Sequence, residues 1–186
     1  MVSRLLVYGS EEFGHVVKNL VLDCGYEFAG FIDDYATGES ILGSYDYVIK
    51  TFSPDVFGIV IAIGYKNLMA RWQVYQKVLA DGYSTPSLIH PRAYLSRSSV
   101  VGQGAIVMVG AIIDAFAEVQ ELTVLWPGAV VNHDSVIGAN TFLSPNSTVC
   151  GFSRVGQSCF VGAGAVIVDH RSVSDNAYIK AGSLYK

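Results

Sequence analysis

The second half of the chain repeats with a period of six residues, and this feature limits its fold more than any other. Every sixth residue from Leu95 to Ile179 is aliphatic. The residue four positions after each of these is small, except at Arg171. A period of six fits neither a helix nor a single strand, so the chain must turn at a fixed interval. The repeat therefore predicts a solenoid of stacked coils. The aliphatic positions are Leu95, Val101, Val107, Ile113, Val119, Leu125, Val131, Ile137, Leu143, Val149, Val155, Val161, Ile167, Val173 and Ile179.

The register of this repeat places one histidine on the outer surface. Val131 is an inward position, so His133 faces outward, and residues eighteen apart stack on adjacent coils. His133 should therefore lie beside Gly151. An imidazole suits proton transfer at neutral pH, and a glycine leaves its backbone N–H open to a developing oxyanion. The pair predicts half of an acyl-transfer site, whereas spacing alone also allows an ordinary solvent-exposed histidine. The predicted column is Arg97, Ala115, His133, Gly151 and Asp169.

The residues before the repeat have a different pattern, that of a small parallel α/β domain over residues 1–88. An apolar run ends at Gly9, a helical pattern follows from Phe13, and a second apolar run ends at Asp33 and Asp34. The run "FGIVIAIG" and a helix over about residues 67–80 come next. Ligands of such sheets bind beyond the carboxyl ends of the strands. The candidate lining is Gly9, Ser10, Asp33, Asp34 and Gly64.

Composition limits the partners and the location. The net charge is −4 and no run of Lys or Arg occurs, which argues against nucleic acid as a partner. The three cysteines have no CxxC spacing, and we expect neither a disulfide framework nor a zinc cluster. The early apolar run Leu5–Tyr8 is too short for a signal peptide or a membrane span, so we expect a cytoplasmic protein without a membrane span.

The repeat resembles the hexapeptide repeat of left-handed parallel β-helices, in which three hexads form one coil. The resemblance implies about five coils over residues 89–186, following the α/β domain. Hexapeptide carbonic anhydrases share this prism, but they need three histidines around one metal, and His15 and His90 lie outside the repeat. We therefore expect no metal.

The whole chain resembles the bacterial nucleotide-amino-sugar N-acetyltransferases and the related sialic acid O-acetyltransferases, which join a Rossmann-like domain to such a β-helix. "GFIDD" at Gly30–Asp34, "LIHPRA" at Leu88–Ala93 and "VNHD" at Val131–Asp134 carry the resemblance. The family's glycine turn usually reads G-[AS]-[GS]-G-H-G. Here it reads "GSEEFG", with Phe13 in the place of the family's histidine.

The resemblance implies a role for each matching residue. His133 would be the general base and Gly151 N–H the oxyanion donor, and Asp134 would orient the ring if a corner lies between the two residues. Acetyl-CoA would lie against Gly151, against Gly162 and Ala163 within "VGAGA", and against Ala181 one coil beyond. The nucleotide sugar would contact Gly9, Ser10, Phe13, Asp33, Asp34 and Gly64.

These observations predict an acetyl-CoA-dependent N-acetyltransferase that acts on a nucleotide-linked amino sugar of the UDP-4-amino-sugar type. One alternative is O-acetylation of a sugar or sialic acid hydroxyl. An alternative from another class is a noncatalytic scaffold that binds a nucleotide sugar. Outward apolar residues such as Phe142, Phe152 and Phe160 would be exposed on a lone prism, which favours a homotrimer.

Overall fold

The computed structural model describes residues 2–186, which form two compact units. The first unit ends at Pro86 and the second spans Ser87–Lys186. Leu88 pairs with Ile106 and so belongs to the second unit. Among residues 2–186, no helix combines the length and the apolar character that crossing a membrane requires.

The first unit is a four-stranded parallel sheet in which the strands lie in the order third, second, first and fourth along the chain. Leu5, Leu6 and Val7 of the first strand are all fully buried, as a strand with both faces covered requires. The strands are β1 (Arg4–Tyr8), β2 (Glu27–Ile32), β3 (Ile41–Gly43) and β4 (Phe57–Ile61), and the helices are α1 (Glu12–Asp23), α2 (Tyr45–Thr51), a 3-10 turn (Tyr65–Asn67) and α3 (Leu68–Ala80).

The sequence predicts most of these elements. Helix α1 buries Val17, Leu20 and Val21 at helical spacing, as expected, whereas Val16 lies on its outer side and is 37% exposed. Helix α3 begins after Asn67, whose side chain accepts a hydrogen bond from the N–H of Ala70 at 3.1 Å. Strand β3 and helix α2 are too short to show a periodicity, and the sequence analysis did not find them.

The second unit is a parallel β-solenoid of about five turns with three faces, each a parallel sheet of two-residue strands. The chain passes through face 1, face 2 and face 3 in turn. Face 1 contains β5 (Leu88–Ile89), β8 (Ile106–Val107), β11 (Val124–Leu125), β14 (Phe142–Leu143), β17 (Phe160–Val161) and β20 (Tyr178–Ile179). Face 2 contains β6 (Tyr94–Leu95), β9 (Ile112–Ile113), β12 (Val130–Val131), β15 (Thr148–Val149), β18 (Val166–Ile167) and β21 (Leu184–Tyr185). Face 3 contains β7 (Val100–Val101), β10 (Glu118–Val119), β13 (Val136–Ile137), β16 (Arg154–Val155) and β19 (Ser172–Val173).

The predicted register of the repeat is confirmed. Val131 pairs with Ile113 on one side and with Val149 on the other, and all three side chains are fully buried. The aliphatic side chains of successive coils form one continuous core along the solenoid. This core fixes which residues face outward, because shifting a strand by one residue would reverse the direction of every side chain.

The prediction that outward aromatic side chains are exposed is wrong for Phe142. Phe152 is 51% exposed and Phe160 is partly exposed, but Phe142 is only 2% exposed within the single chain. Its ring centroid lies 6.3 Å from that of Trp126. Phe142 therefore gives no support to a predicted interface between copies of the chain.

Candidate active site

His133 and Asp134 together form a corner of the solenoid, between β12 and β13. Asp134 adopts the left-handed backbone conformation, with φ of 58°, which short polar side chains tolerate better than bulky ones. The two neighbouring side chains can then meet, and the distance between His133 Nδ1 and Asp134 Oδ2 is 3.0 Å. Their side chains are 49% and 39% exposed, so the pair is accessible from solvent. The condition for this contact, a corner between the residues, is met.

Gly151 lies directly beside the imidazole on the next coil. The N–H of Phe152 donates to the carbonyl of His133 at 3.2 Å and holds the two coils together. A Cβ atom added to Gly151 would lie 2.8 Å from Cε1 and 2.9 Å from Nε2 of His133. Only glycine permits this approach, which explains the residue type at position 151 and confirms the predicted stacking of the column.

The N–H of Gly151 donates to no protein acceptor within residues 2–186. The N–H groups on either side do have partners: that of Cys150 bonds the carbonyl of Ile167 at 2.9 Å, and that of Phe152 bonds the carbonyl of His133. Because the Gly151 N–H has no protein acceptor, it can donate a hydrogen bond to a bound group. A donor held beside an imidazole can bind an oxygen that becomes negatively charged during a reaction.

Two aromatic rings continue this corner. The Phe152 ring lies edge-on to the His133 ring, with centroids 5.1 Å apart. It stacks on the His170 ring of the following coil, with centroids 4.9 Å apart and an interplanar angle of 4°. The sequence analysis placed neither residue in the site, although both follow Asp134 in the same corner at eighteen-residue spacing. Phe152 forms an apolar wall beside the histidine.

The predicted cofactor residues Gly162, Ala163 and Ala181 lie on another corner, between faces 1 and 2. A Cβ atom on Gly162 would lie 2.4 Å from the backbone nitrogen of Ala181, so the two coils are in close contact. Ala163 and Ala181 are exposed, and the N–H of Gly182 donates to the carbonyl of Ala163 at 2.8 Å. These small residues and Gly151 occupy the two edges of face 2, and a cofactor touching both would extend along that face.

In the first unit, Gly9 and Gly14 shape the turn after β1. A Cβ atom on Gly14 would lie 2.1 Å from the carbonyl oxygen of Gly9, and one on Gly9 would lie 2.8 Å from that of Ala62. Gly9 also has φ of 111°, a conformation that other residues rarely adopt. The G-x-x-x-x-G spacing therefore lets β1 turn sharply into α1 at the carboxyl edge of the sheet.

The carboxylates of Asp33 and Asp34 lie at this edge, as predicted, and both hold internal contacts. Asp33 accepts hydrogen bonds from Ser10 Oγ at 2.6 Å and from the N–H groups of Tyr35 and Ala36 at 3.0 and 2.9 Å. Burial raises the pKa of Asp33, but the hydrogen bonds from Ser10, Tyr35 and Ala36 outweigh it and hold this pKa below its ordinary value.

Asp34 connects to two tyrosines that the sequence analysis missed. It accepts a hydrogen bond from the Tyr8 hydroxyl and another from the N–H of Tyr45 at 2.8 Å. The two tyrosine rings stack with centroids 5.4 Å apart. Burial, followed by the bond to Asp34, raises the pKa of Tyr8 well above its ordinary value, so the phenol stays protonated. Tyr45 begins the unpredicted helix α2, which is why its part in this network was not foreseen.

A cleft of about 250 Å³ opens beside this edge, large enough for part of a small ligand. Of the predicted residues only Ser10 lines it. Phe13 lies in the first turn of α1, and a Cβ atom on Gly64, after β4, would face open space. The sequence held no signal for the other lining residues, which are His15, Phe31, Gly38, Glu39, Ser40 and Ile41.

No group of three or more potential metal ligands occurs among the histidine, cysteine, aspartate and glutamate side chains of residues 2–186.

The exposed corner between β12 and β13 offers the imidazole of His133, the carboxylate of Asp134 and, from the next coil, the backbone N–H of Gly151. These groups can move a proton and stabilise an oxyanion.

Parts of both units match models of known protein families. Residues 4–78 match the family model described as the PglD N-terminal domain, and residues 134–169 match that of the bacterial transferase hexapeptide, six repeats. The second unit therefore contains, at residues 134–169, the hexapeptide repeat of bacterial transferases.

Several solved structures resemble almost the whole chain, among them the following three. The acetyltransferase domain of PglB from Neisseria gonorrhoeae is 29% identical, with a TM-score of 0.92, and the match covers 99% of this chain and 91% of that one. The same domain in complex with acetyl coenzyme A is 28% identical over 98% and 90% of the two chains, with a TM-score of 0.88.

The third is a histidine-to-alanine variant of GDP-perosamine N-acetyl transferase from Caulobacter crescentus in complex with CoA and GDP-perosamine. It is 26% identical over 100% of this chain and 90% of that one, with a TM-score of 0.94. Over almost its whole length the chain is similar to acetyltransferases, one of which was solved with GDP-perosamine, and together these matches support an acetyltransferase of the nucleotide-amino-sugar type.

Proposed function

We propose that this protein transfers the acetyl group of acetyl-CoA to the amine of a nucleotide-linked amino sugar. The proposal is carried by Gly151, whose N–H donates to no acceptor within residues 2–186 and whose Cα lies against the His133 ring, so that an added Cβ would collide with it. The relatives support the two substrates, because one was solved with acetyl coenzyme A and another with CoA and GDP-perosamine.

In this proposal His133 acts as the general base. Nδ1–H donates a hydrogen bond to the Asp134 carboxylate, which leaves the lone pair of Nε2 free on the side of Gly151. As the amine nitrogen bonds to the thioester carbon, Nε2 takes a proton from the amine. The carbonyl oxygen becomes an oxyanion and accepts a hydrogen bond from the Gly151 N–H. The C–S bond then breaks, and the CoA thiolate receives the proton from the imidazolium.

The small residues on the other edge of face 2 would hold the cofactor. Ala163 and Ala181 are exposed and leave their backbone approachable, so the amide groups of a pantetheine chain can come close to it. Gly162, under Ala181, allows the coils to stay closely packed at that point. No side-chain nucleophile is required, because the amine attacks the thioester directly.

The first unit would bind the nucleotide. The turn after β1, with Gly9 and Ser10, and the cleft beside it lie at the carboxyl edge of the parallel sheet, where such sheets bind ligands. Glu11 and Glu12 lie at the N-terminus of α1 and disfavour a phosphate at that helix end. The base and ribose should therefore lie at the cleft, near Asp33, and the phosphates away from α1.

The proposal is tested by measuring the release of CoA thiol from acetyl-CoA in the presence of each member of a panel of UDP-, dTDP- and GDP-linked amino sugars. We expect turnover with at least one of them and a mass gain of one acetyl group on the amine. The matching hydroxy sugars without the amine are the control. Acetylation of these controls at a hydroxyl would make the protein an O-acetyltransferase. Binding without turnover across the panel would overturn the proposal in favour of a noncatalytic scaffold.

A further inference from the structure

A chain of hydrogen bonds ends at the peptide group that joins Cys150 to Gly151. The N–H of Ser153 donates to Ser135 Oγ at 3.2 Å, and the Ser135 hydroxyl donates to the carbonyl oxygen of Cys150 at 2.8 Å. That carbonyl and the N–H of Gly151 belong to one peptide group. The hydroxyl of Ser135 therefore acts on one end of the peptide group whose other end is the N–H of Gly151, the residue that packs against His133.

The distances indicate that the Ser135 hydroxyl donates to the carbonyl of Cys150 and not to that of His133. Its second contact, to the carbonyl oxygen of His133, is 3.4 Å long, and its one proton serves the shorter bond to Cys150. Ser135 is fully buried, so solvent does not compete with its hydroxyl for the carbonyl of Cys150. The hydrogen bond therefore both fixes the orientation of the peptide group and withdraws electron density from it.

Hydrogen bonds in a chain strengthen one another, because each donor is polarised by the bond it accepts. A peptide whose carbonyl accepts a strong bond is a better donor through its N–H. We propose that Ser135 is a positioning residue for acetyl transfer, which orients and polarises the peptide whose N–H binds the oxyanion. This inference rests on the proposed function, because it needs Gly151 to be the oxyanion donor.

The next coil contains a matched control. Ser153 Oγ donates to the carbonyl oxygen of Val168 at 2.8 Å, accepts from the N–H of Arg171 at 3.2 Å, and lies 3.4 Å from the carbonyl oxygen of Gly151. Ser153 is fully buried like Ser135. The same bonds occur with almost the same lengths, but this chain ends at the peptide before Asp169, one coil beyond the one that contacts His133.

Alanine fits at this corner of the solenoid. Ala117 occupies the position equivalent to Ser135 on the preceding coil and is 1% exposed. Ser135→Ala and Ser153→Ala each remove one buried hydroxyl without adding volume, so both variants should fold and lose similar amounts of Tm. The two substitutions thus separate the loss of a buried hydrogen bond from its effect on Gly151.

Steady-state kinetics on the two variants test the inference. Ser135→Ala should lower kcat by about 3- to 10-fold, less than the loss of a complete oxyanion donor, with KM for acetyl-CoA within about two-fold of wild type. Ser153→Ala should keep the wild-type kcat. Ser135→Thr retains the hydroxyl and should recover most of the lost rate. Wild-type kcat in Ser135→Ala, or an equal loss in Ser153→Ala, would overturn the inference.

A spectroscopic measurement checks the cause. The amide ¹⁵N resonance of Gly151 responds to the hydrogen bond on the carbonyl of Cys150, so it should move in Ser135→Ala and stay near its wild-type position in Ser153→Ala. Ser135→Cys replaces the hydroxyl by a thiol, a weaker donor of similar size. If the alanine variant does not fold, Ser135→Cys should still show a kcat below that of wild type. If the wild-type protein transfers no acetyl group, the proposed function is wrong. If the wild-type protein is active and Ser135→Ala has the same kcat, only this inference is wrong.

Discussion

Substitution of Gly151 by alanine should displace the imidazole without unfolding the protein. Gly151 does not have a positive φ, so alanine can adopt its backbone conformation. The new Cβ would lie 2.8 Å from Cε1 and 2.9 Å from Nε2 of His133. Restoring an ordinary contact of roughly 3.5–4.0 Å requires the ring to move by about 0.6–1.2 Å. His133 is half-exposed and can rotate outward, so the displacement takes place at the side chain.

The expected loss of rate follows from this displacement. Misplacing a reacting group by about 1 Å can cost on the order of 10²-fold in kcat. The fold loses little more than the exposed bond between His133 and Asp134, on the order of 1 kcal/mol, which corresponds to a fall in Tm of about 2–4 °C. Steady-state kcat and a thermal unfolding curve measure the two effects separately.

A double-mutant cycle supplies the control for this prediction. In a His133→Ala background the added methyl group meets no ring, so Gly151→Ala should cause no further loss of kcat. If the two losses multiply instead, the methyl group acts through something other than His133. A Gly151→Ala enzyme with the wild-type kcat would refute the reasoning altogether.

Four further predictions concern the rest of the molecule. Val149→Asp buries an unpaired carboxylate in the solenoid core and should cost several kcal/mol, so a soluble variant with the wild-type Tm would contradict the register. Asp33→Ala should raise KM for the nucleotide sugar with little change in kcat, and an unchanged KM would place the nucleotide elsewhere. Because the folded-state pKa of Asp33 is lowered, wild-type stability should fall as the pH drops below about 3.9, and Asp33→Asn should lose part of this dependence in acid titrations. Exposed apolar side chains such as Tyr178 favour a homotrimer of three 20.0 kDa chains, and a monomer mass by light scattering at micromolar concentration would exclude it.

The solenoid could be predicted from the sequence because one periodic signal determines it. The buried aliphatic column specifies which residues face inward, and with it the stacking of His133 beside Gly151. The same signal does not show on which residues the corners fall. The contact between His133 and Asp134 depends on that position, and only the three-dimensional structure places both residues in one turn.

The contacts of the first unit were harder to predict, because they join residues far apart in the chain. Tyr8, Asp34 and Tyr45 come from β1, from the end of β2 and from a seven-residue helix too short to leave a periodic pattern. The burial of Phe142 shows a related limit. It occupies an outward position like Phe160 on the same face, but exposure depends on neighbours that the repeat does not encode.

The most direct test of the central claim is kcat of His133→Asn with acetyl-CoA and the best nucleotide-linked amino sugar found in the panel. Asparagine keeps a polar side chain at this exposed corner but cannot act as a base at neutral pH. We predict a fall in kcat of about 10²- to 10⁴-fold, the usual contribution of a positioned general base, with Tm and acetyl-CoA binding close to those of wild type. A His133→Asn enzyme that transfers acetyl groups at the wild-type rate would contradict the claim that this corner is the catalytic site.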